Sequence, residues 1–143
     1  MSFNVLIVDD SGSMRAIIKK IVTISGFKMD QCFEAGNGKE AMEVLSGNWI
    51  DIIISDINMP EVNGLEFLDQ LQKNETLKEI PVIMITTEGS SERMQEAFNR
   101  GAKGFIKKPF LPEDIKKILF QVIGVSENGE YSEDKAIADE CDF

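Results

Sequence analysis

Histidine is absent from the 143 residues. Its absence removes Ser-His-Asp and Cys-His nucleophile pairs, histidine metal ligands, and any phosphohistidine carried by the chain itself. Cysteine is scarce: Cys32 and Cys141 are too few and too far apart for a disulfide framework or a thiolate metal site. No apolar run approaches the ~20 residues that a membrane span needs. The opening segment, MSFNVLIVDD, is not expected to be a signal peptide, because its apolar run is short and ends in two aspartates. Basic residues are outnumbered, with 15 Lys and Arg against 25 Asp and Glu and a net charge of −10. Without a basic surplus to pair with phosphates, neither nucleic acid nor an anionic membrane is expected as a main partner. What is present suits a cytoplasmic, single-domain protein: 43% hydrophobic residues can fill a core, and 28% charged residues can cover it.

The charge is unevenly placed. Residues 1–124 hold 18 acids and 14 bases, whereas residues 125–143 hold seven acids and one base, Lys135. The second stretch is poor in large apolar residues and reads as an acidic tail outside the core. It is expected to be disordered or, over Ser132–Glu140, a short helix with Ala136 and Ile137 on one side. The body, residues 1–124, is close to neutral, so its acidic clusters must be local.

Within the body the apolar period changes repeatedly. Asn4–Val8 is a short apolar run and reads as a buried strand. Met14, Ile17, Ile18, Ile21 and Val22 then form one stripe of a helix that ends at Gly26. Lys28–Glu34 is a weaker strand candidate, and Lys39–Leu45 a short helix. Asp51–Ser55 is the next strand, closed by Asp56, and Leu65, Phe67, Leu68 and Leu71 stripe the helix after it. Pro81–Thr86 and Gly104–Lys107 are further strands, with helices marked by Met94, Ala97 and Phe98 and by Ile115, Ile118, Leu119 and Val122. Short, continuously apolar strands alternating with amphipathic helices predict an α/β fold with a parallel sheet covered on both faces. The leading topology is a doubly wound open sheet, in which ligands sit at the carboxyl ends of the strands.

Those ends carry Asp9 and Asp10 after the first strand, Asp56 after the third, Thr86 after the fourth and Lys108 after the fifth. Each has a plain structural explanation when taken singly. An aspartate after a strand is often a cap or turn residue, a threonine is a good strand former, and a lone lysine is usually solvated. Their joint placement at the ends of four different strands favours a site. Three carboxylates on one rim repel one another unless a cation is present. A hard divalent ion with oxygen ligands, Mg²⁺, fits best, helped by the Lys108 ammonium.

Together these residues resemble the response-regulator receiver family. Four motifs occur in order over about residues 3–123: Asp9-Asp10, Asp56-Ile-Asn-Met-Pro60 with Gly64, Ile85-Thr86-Thr87, and Lys107-Lys108-Pro109-Phe110. Within the family the chain is most similar to the single-domain chemotaxis regulators of the CheY type, which Asn58 and Glu88 also match. The resemblance implies a flavodoxin-like sheet of five parallel strands in the order 2-1-3-4-5 with five helices. It implies that Asp56 is phosphorylated by a partner histidine kinase. Asp10, Asp56 and the Asn58 carbonyl would hold Mg²⁺, Asp9 would help through water, and Lys108 would meet the phosphate after a cis Lys108–Pro109 bond. Thr86 would move to donate a hydrogen bond to the phosphoryl group, freeing space for the fifth-strand aromatic, here Phe105, to rotate inward. CheY more often has tyrosine there, so a readout through a ring hydroxyl is put in doubt. Asn58 and Glu88 would flank the route of the hydrolytic water.

The expected function is a phosphorylation-activated switch rather than a dedicated enzyme. After the last helix only the acidic tail remains, so output is expected through protein contact on the face of the fourth helix, fifth strand and fifth helix. A flagellar motor-switch protein is the expected target, and a phosphatase an additional partner. A phosphorelay intermediate, passing phosphate to a histidine phosphotransfer protein, is the alternative. A Mg²⁺-dependent phosphohydrolase of the haloacid-dehalogenase kind is disfavoured, because such enzymes need a second acid where this chain has Asn58.

Overall fold

The computed structural model describes residues 2–59, 61–87 and 90–123, together with the backbone of Ala136 and Ile137. Strands and helices alternate: β1 (Phe3–Val8), α1 (Gly12–Ile24), β2 (Met29–Ala35), α2 (Gly38–Gly47), β3 (Ile52–Asp56), α3 (Gly64–Gln72), β4 (Val82–Thr86), α4 (Ser91–Asn99), β5 (Gly104–Lys107) and α5 (Pro112–Ile123). Five parallel strands lie in the order β2-β1-β3-β4-β5, as expected. Among the described residues no helix is long and apolar enough to cross a membrane.

Strand alternation divides the core into two layers. Leu6, Val8, Ile53, Met84 and Phe105 point to one face, where Leu45, Phe67, Leu68, Leu71, Ala97 and Phe98 from α2, α3 and α4 cover them. Val5, Ile7, Ile54, Ile83, Ile85 and Ile106 point to the other, under Ile18 and Val22 of α1 and Ile115, Ile118 and Leu119 of α5. Burial on both faces is why these strands read as continuous apolar runs. Polar caps start the helices. The Ser11, Asn37, Asn63 and Ser90 side chains each accept a hydrogen bond from a first-turn amide, and Asn63 forms a reciprocal capping box with Glu66.

Two features differ from the sequence expectation. The α1 stripe is narrower than its period suggested: Ile18 and Val22 are buried, but Ile17 is 48% exposed. Sheet and α5 together reach only part of the α1 surface, so the edge of the apolar stripe faces outward. The sheet also has a sixth strand. Ala136–Ile137 (β6) pairs in parallel with β5, Gly104 opposite Ala136 and Phe105 opposite Ile137. At these two residues the backbone is neither disordered nor helical, because an unpaired strand edge selects extended backbone whatever the local preference. The rest of the tail, and with it the other residues of the helix expected over Ser132–Glu140, lies outside the described residues.

Candidate functional site

The carboxyl ends of β1, β3, β4 and β5 meet at one rim. Asp9 follows β1 directly, Asp56 is the last residue of β3, Thr86 the last of β4, and Lys108 follows β5. Carboxylate oxygens of Asp9, Asp10 and Asp56 all lie within 4.8 Å of one another. The Lys108 Nζ reaches into the same cluster, 3.4 Å from Asp9 Oδ2 and 3.8 Å from Asp56 Oδ2. The peptide bond between Lys108 and Pro109 is cis. The structure therefore brings Asp9, Asp10, Asp56 and Lys108 together.

Each group is held by backbone. Asp9 is almost fully buried. Its Oδ1 accepts from the Ser11 N–H at 2.9 Å, which leaves Oδ2 for Lys108. Asp56 Oδ1 accepts from its own neighbour, the Ile57 N–H, at 2.8 Å. The Lys108 N–H donates to the Thr86 carbonyl at 2.8 Å, tying the start of the β5–α5 loop to the end of β4. Thr86 is fully buried, and alternation along paired β4 and β5 puts its side chain on the same face as Phe105. Phe105 is also fully buried, with its ring already inside the layer that holds Met84, Ala97 and Phe98. Asn58 is exposed in the loop after β3, and Glu88 lies outside the described residues.

The electrostatics are unbalanced, with three carboxylates facing one ammonium. Burial pushes the Asp56 carboxyl above its ordinary value and the nearby Asp9 charge adds to this, while Lys108 and the Ile57 and Asn58 amides oppose it. A divalent cation would remove that penalty. The donor set fits magnesium: three hard carboxylate oxygens close together, one buried, one half-buried and one exposed, so that waters can complete the shell.

Two supporting residues were not legible as such. Arg15 donates to the Asp9 carbonyl at 2.6 Å and pairs with Glu34 at 2.9 Å, clamping the β1–α1 turn. In sequence it is only a polar residue on the wet side of α1. Gly64 begins α3 directly under the loop that follows Asp56. A Cβ there would run into the Asp56 carbonyl oxygen and would lie 2.8 Å from Ile57 Cα and 2.6 Å from Met84 Cε. Its N–H also donates to the Ile57 carbonyl at 2.8 Å. The signal was its place in the Asp56 motif, but its reason is this close approach.

Beside the rim, Met14, Ile17, Ile21, Thr87, Pro109 and Phe110 line an open, largely apolar hollow to which Lys108 also contributes. The exposed Ile17 belongs to this hollow.

Comparison with known proteins agrees with this arrangement. A model of the response regulator receiver domain matches residues 5–120. Chemotaxis protein CheY1 of Helicobacter pylori is 42% identical over 123 residues, which cover 85% of this chain and 98% of that one. The chemotaxis protein CheY homolog of Campylobacter jejuni is 40% identical over 120 residues, 83% of this chain and 91% of that one. Among solved structures, the chemotaxis response regulator CheY4 of Vibrio cholerae superposes with a TM-score of 0.76 at 37% identity, covering 85% of this chain and 99% of that chain. Receiver domains of this kind are signalling switches that bind Mg²⁺ at an acidic pocket and engage histidine kinases and motor-switch proteins. With its acidic strand-end cluster, its sheet order and these relatives, the chain belongs to the response-regulator receiver family and is a receiver domain of the CheY chemotaxis type.

Proposed function

We propose that Asp56 accepts a phosphoryl group from the phosphohistidine of a partner kinase and that the phosphorylated chain binds a flagellar motor-switch protein. One observation carries this reading: Asp9, Asp10 and Asp56 converge within 4.8 Å with the Lys108 ammonium beside Asp9 and Asp56. In the transfer, a bond forms from an Asp56 carboxylate oxygen to phosphorus as the partner's phosphorus–nitrogen bond breaks. The histidine leaves with the bonding pair and takes its proton from water. Asp56 Oδ1 is held by the Ile57 amide, so Oδ2, on the Lys108 side, is the oxygen positioned to attack. Lys108 meets the incoming phosphoryl oxygens, exchanging its carboxylate neighbours for a phosphate at similar distance. Asp10, Asp56 and the Asn58 carbonyl would hold Mg²⁺, with Asp9 acting through water. When bound, that ion screens the charge of the phosphoryl oxygens and neutralises the carboxylates around them.

Thr86 and Phe105 form the readout. A phosphoryl group on Asp56 adds up to two negative charges and three acceptor oxygens at the end of β3. The Thr86 hydroxyl, one strand away, donates to one of them. Phe105 lacks a hydroxyl and is already inside the core, so the change is transmitted through packing on the α4–β5–α5 face. A bias of a few kcal/mol is enough to move such a switch from mostly off to mostly on. Asn58 and Glu88 flank the approach of the hydrolytic water and set the phosphoryl lifetime, which a phosphatase would shorten. The relatives' names, chemotaxis proteins, support the motor-switch target.

The test is phosphate uptake from acetyl phosphate with and without Mg²⁺, repeated with Asp56→Asn. Uptake that needs both the ion and Asp56 is expected, and no uptake by the unaltered chain with Mg²⁺ would overturn the assignment. Target binding is tested by pull-down with a motor-switch protein. Equal binding by Asp56→Asn and by the phosphorylated chain would refute a phosphorylation-gated target.

A further inference from the structure

β5 is the terminal strand of the five-stranded core, and such an edge needs a cover. Its residues Gly104, Phe105 and Ile106 are buried, so their outward backbone groups need partners. The Lys103 N–H donates inward to the Val82 carbonyl on the β4 side. Strand alternation then turns the Gly104 and Ile106 N–H groups to the outer edge. There the structure places β6, in parallel register with Gly104 and Phe105.

We propose that the outer edge of β5 is a strand-accepting interaction surface, and that the chain's own Ala136–Ile137 segment occupies it in cis, so that a partner adding a strand to β5 must first displace the tail. Two observations support this. Parallel pairing needs a crossover between strands, and α5 already supplies one. The paired residues are small or apolar, and Ile137 sits opposite Phe105. In addition, a tether raises the local concentration of a weak strand to about the millimolar range, enough to hold a two-residue pairing that a free peptide would make poorly. The competing partner would present the same chemistry, a short strand of small and apolar residues.

The full-length, unphosphorylated chain tests this without reference to Asp56. Amide hydrogen exchange is measured at Gly104 and Ile106 in the unaltered protein and in the Ala136→Pro/Ile137→Pro variant, with Leu6 and Ile54 as core references. Proline at both positions takes away a tail N–H that would donate to a β5 carbonyl and sets its ring against the neighbouring strand, so the segment leaves the edge and the Gly104 and Ile106 N–H groups lose their tail carbonyl acceptors, without touching the body. The expected result is at least tenfold faster exchange at Gly104 and Ile106, unchanged exchange at the references, and slower exchange again when a peptide of residues 133–140 is added to the variant at millimolar concentration. Equal exchange in both proteins would overturn the cis occupant. Faster exchange that the peptide does not reverse would overturn the strand-accepting edge.

Discussion

The two ends of the sheet both carry aspartates, and they use them in opposite ways. At the amino-terminal rim, Asp51 is fully engaged by neutral donors: its Oδ2 accepts from the Asn4 N–H at 2.8 Å and its Oδ1 from the Trp49 indole N–H at 2.9 Å. Asn4 in turn reaches the Trp49 carbonyl at 2.7 Å, so the group closes a turn although Trp49 is 76% exposed. At the carboxyl-terminal rim, Asp9, Asp10 and Asp56 face one another and a single ammonium. A carboxylate with neutral donors on both oxygens is structural. Carboxylates aimed at each other hold unfavourable charge that a bound cation would relieve. The same residue type is therefore satisfied by neutral donors at one end and left facing like charge at the other.

The strongest way to break this contrast is to neutralise one aspartate at each end. Asp56→Asn is expected to lower phosphate uptake from acetyl phosphate by ~100-fold or more, because no other carboxylate takes its place in line. Asp51→Asn should leave uptake unchanged, and an equal loss there in a folded protein would erase the distinction between the ends. Glycines sharpen it next. Gly64→Ala, which drives a methyl into the Asp56 carbonyl and Ile57, should cost about 3 kcal/mol in urea unfolding. Gly47→Ala, where a Cβ meets nothing within 4 Å, should be neutral or stabilise by about 0.5 kcal/mol.

Smaller effects follow from the hydrogen bonds and from the ion. Asp51→Asn should cost about 1–2 kcal/mol, since the amide cannot accept on both sides. Mg²⁺ at ten times its dissociation constant should stabilise the unaltered chain by about 1.4 kcal/mol, with the gain abolished in Asp56→Asn if that residue is a ligand. The smallest effect is in pH. The folded chain keeps a proton on Asp56 over a window where the unfolded chain has lost it. This group's contribution to stability therefore falls as pH rises from the ordinary carboxylate range through the raised value. Without Mg²⁺, Asp56→Asn should melt higher than the unaltered chain at pH 7, and the difference should vanish on acidification below the carboxylate range. A difference that persists at low pH would mean that packing, not charge, is its source.

How far the sequence could be read depended on whether a residue's role was local. Strands β1, β3 and β4 were legible because burial on both faces leaves an unbroken apolar run. The convergence of Asp9, Asp10, Asp56 and Lys108 was legible because they stand at the carboxyl ends of three strands, and a parallel sheet must bring those ends together. Roles that depend on approach between distant segments were not. Arg15 reads as solvated until the β1–α1 turn folds beneath it. Gly64 belongs to the Asp56 motif in sequence, but the reason for a glycine there emerges only when Asp56 and Met84 close around it. Ile17 counts as core by period, yet it lies where the covering elements stop and lines the hollow beside Lys108.

By itself the sequence determined the alternation of elements, the two-sided burial of the sheet and the acidic strand ends, because each follows from periodicity and residue chemistry over a few neighbouring positions. The tertiary structure alone decided which carboxylates face one another, where the Lys108 ammonium sits, and that two tail residues join the sheet. Ala136 and Ile137 have no strand pattern of their own. They are extended because β5 offers an open edge, and an edge exists only once the other strands have been laid down.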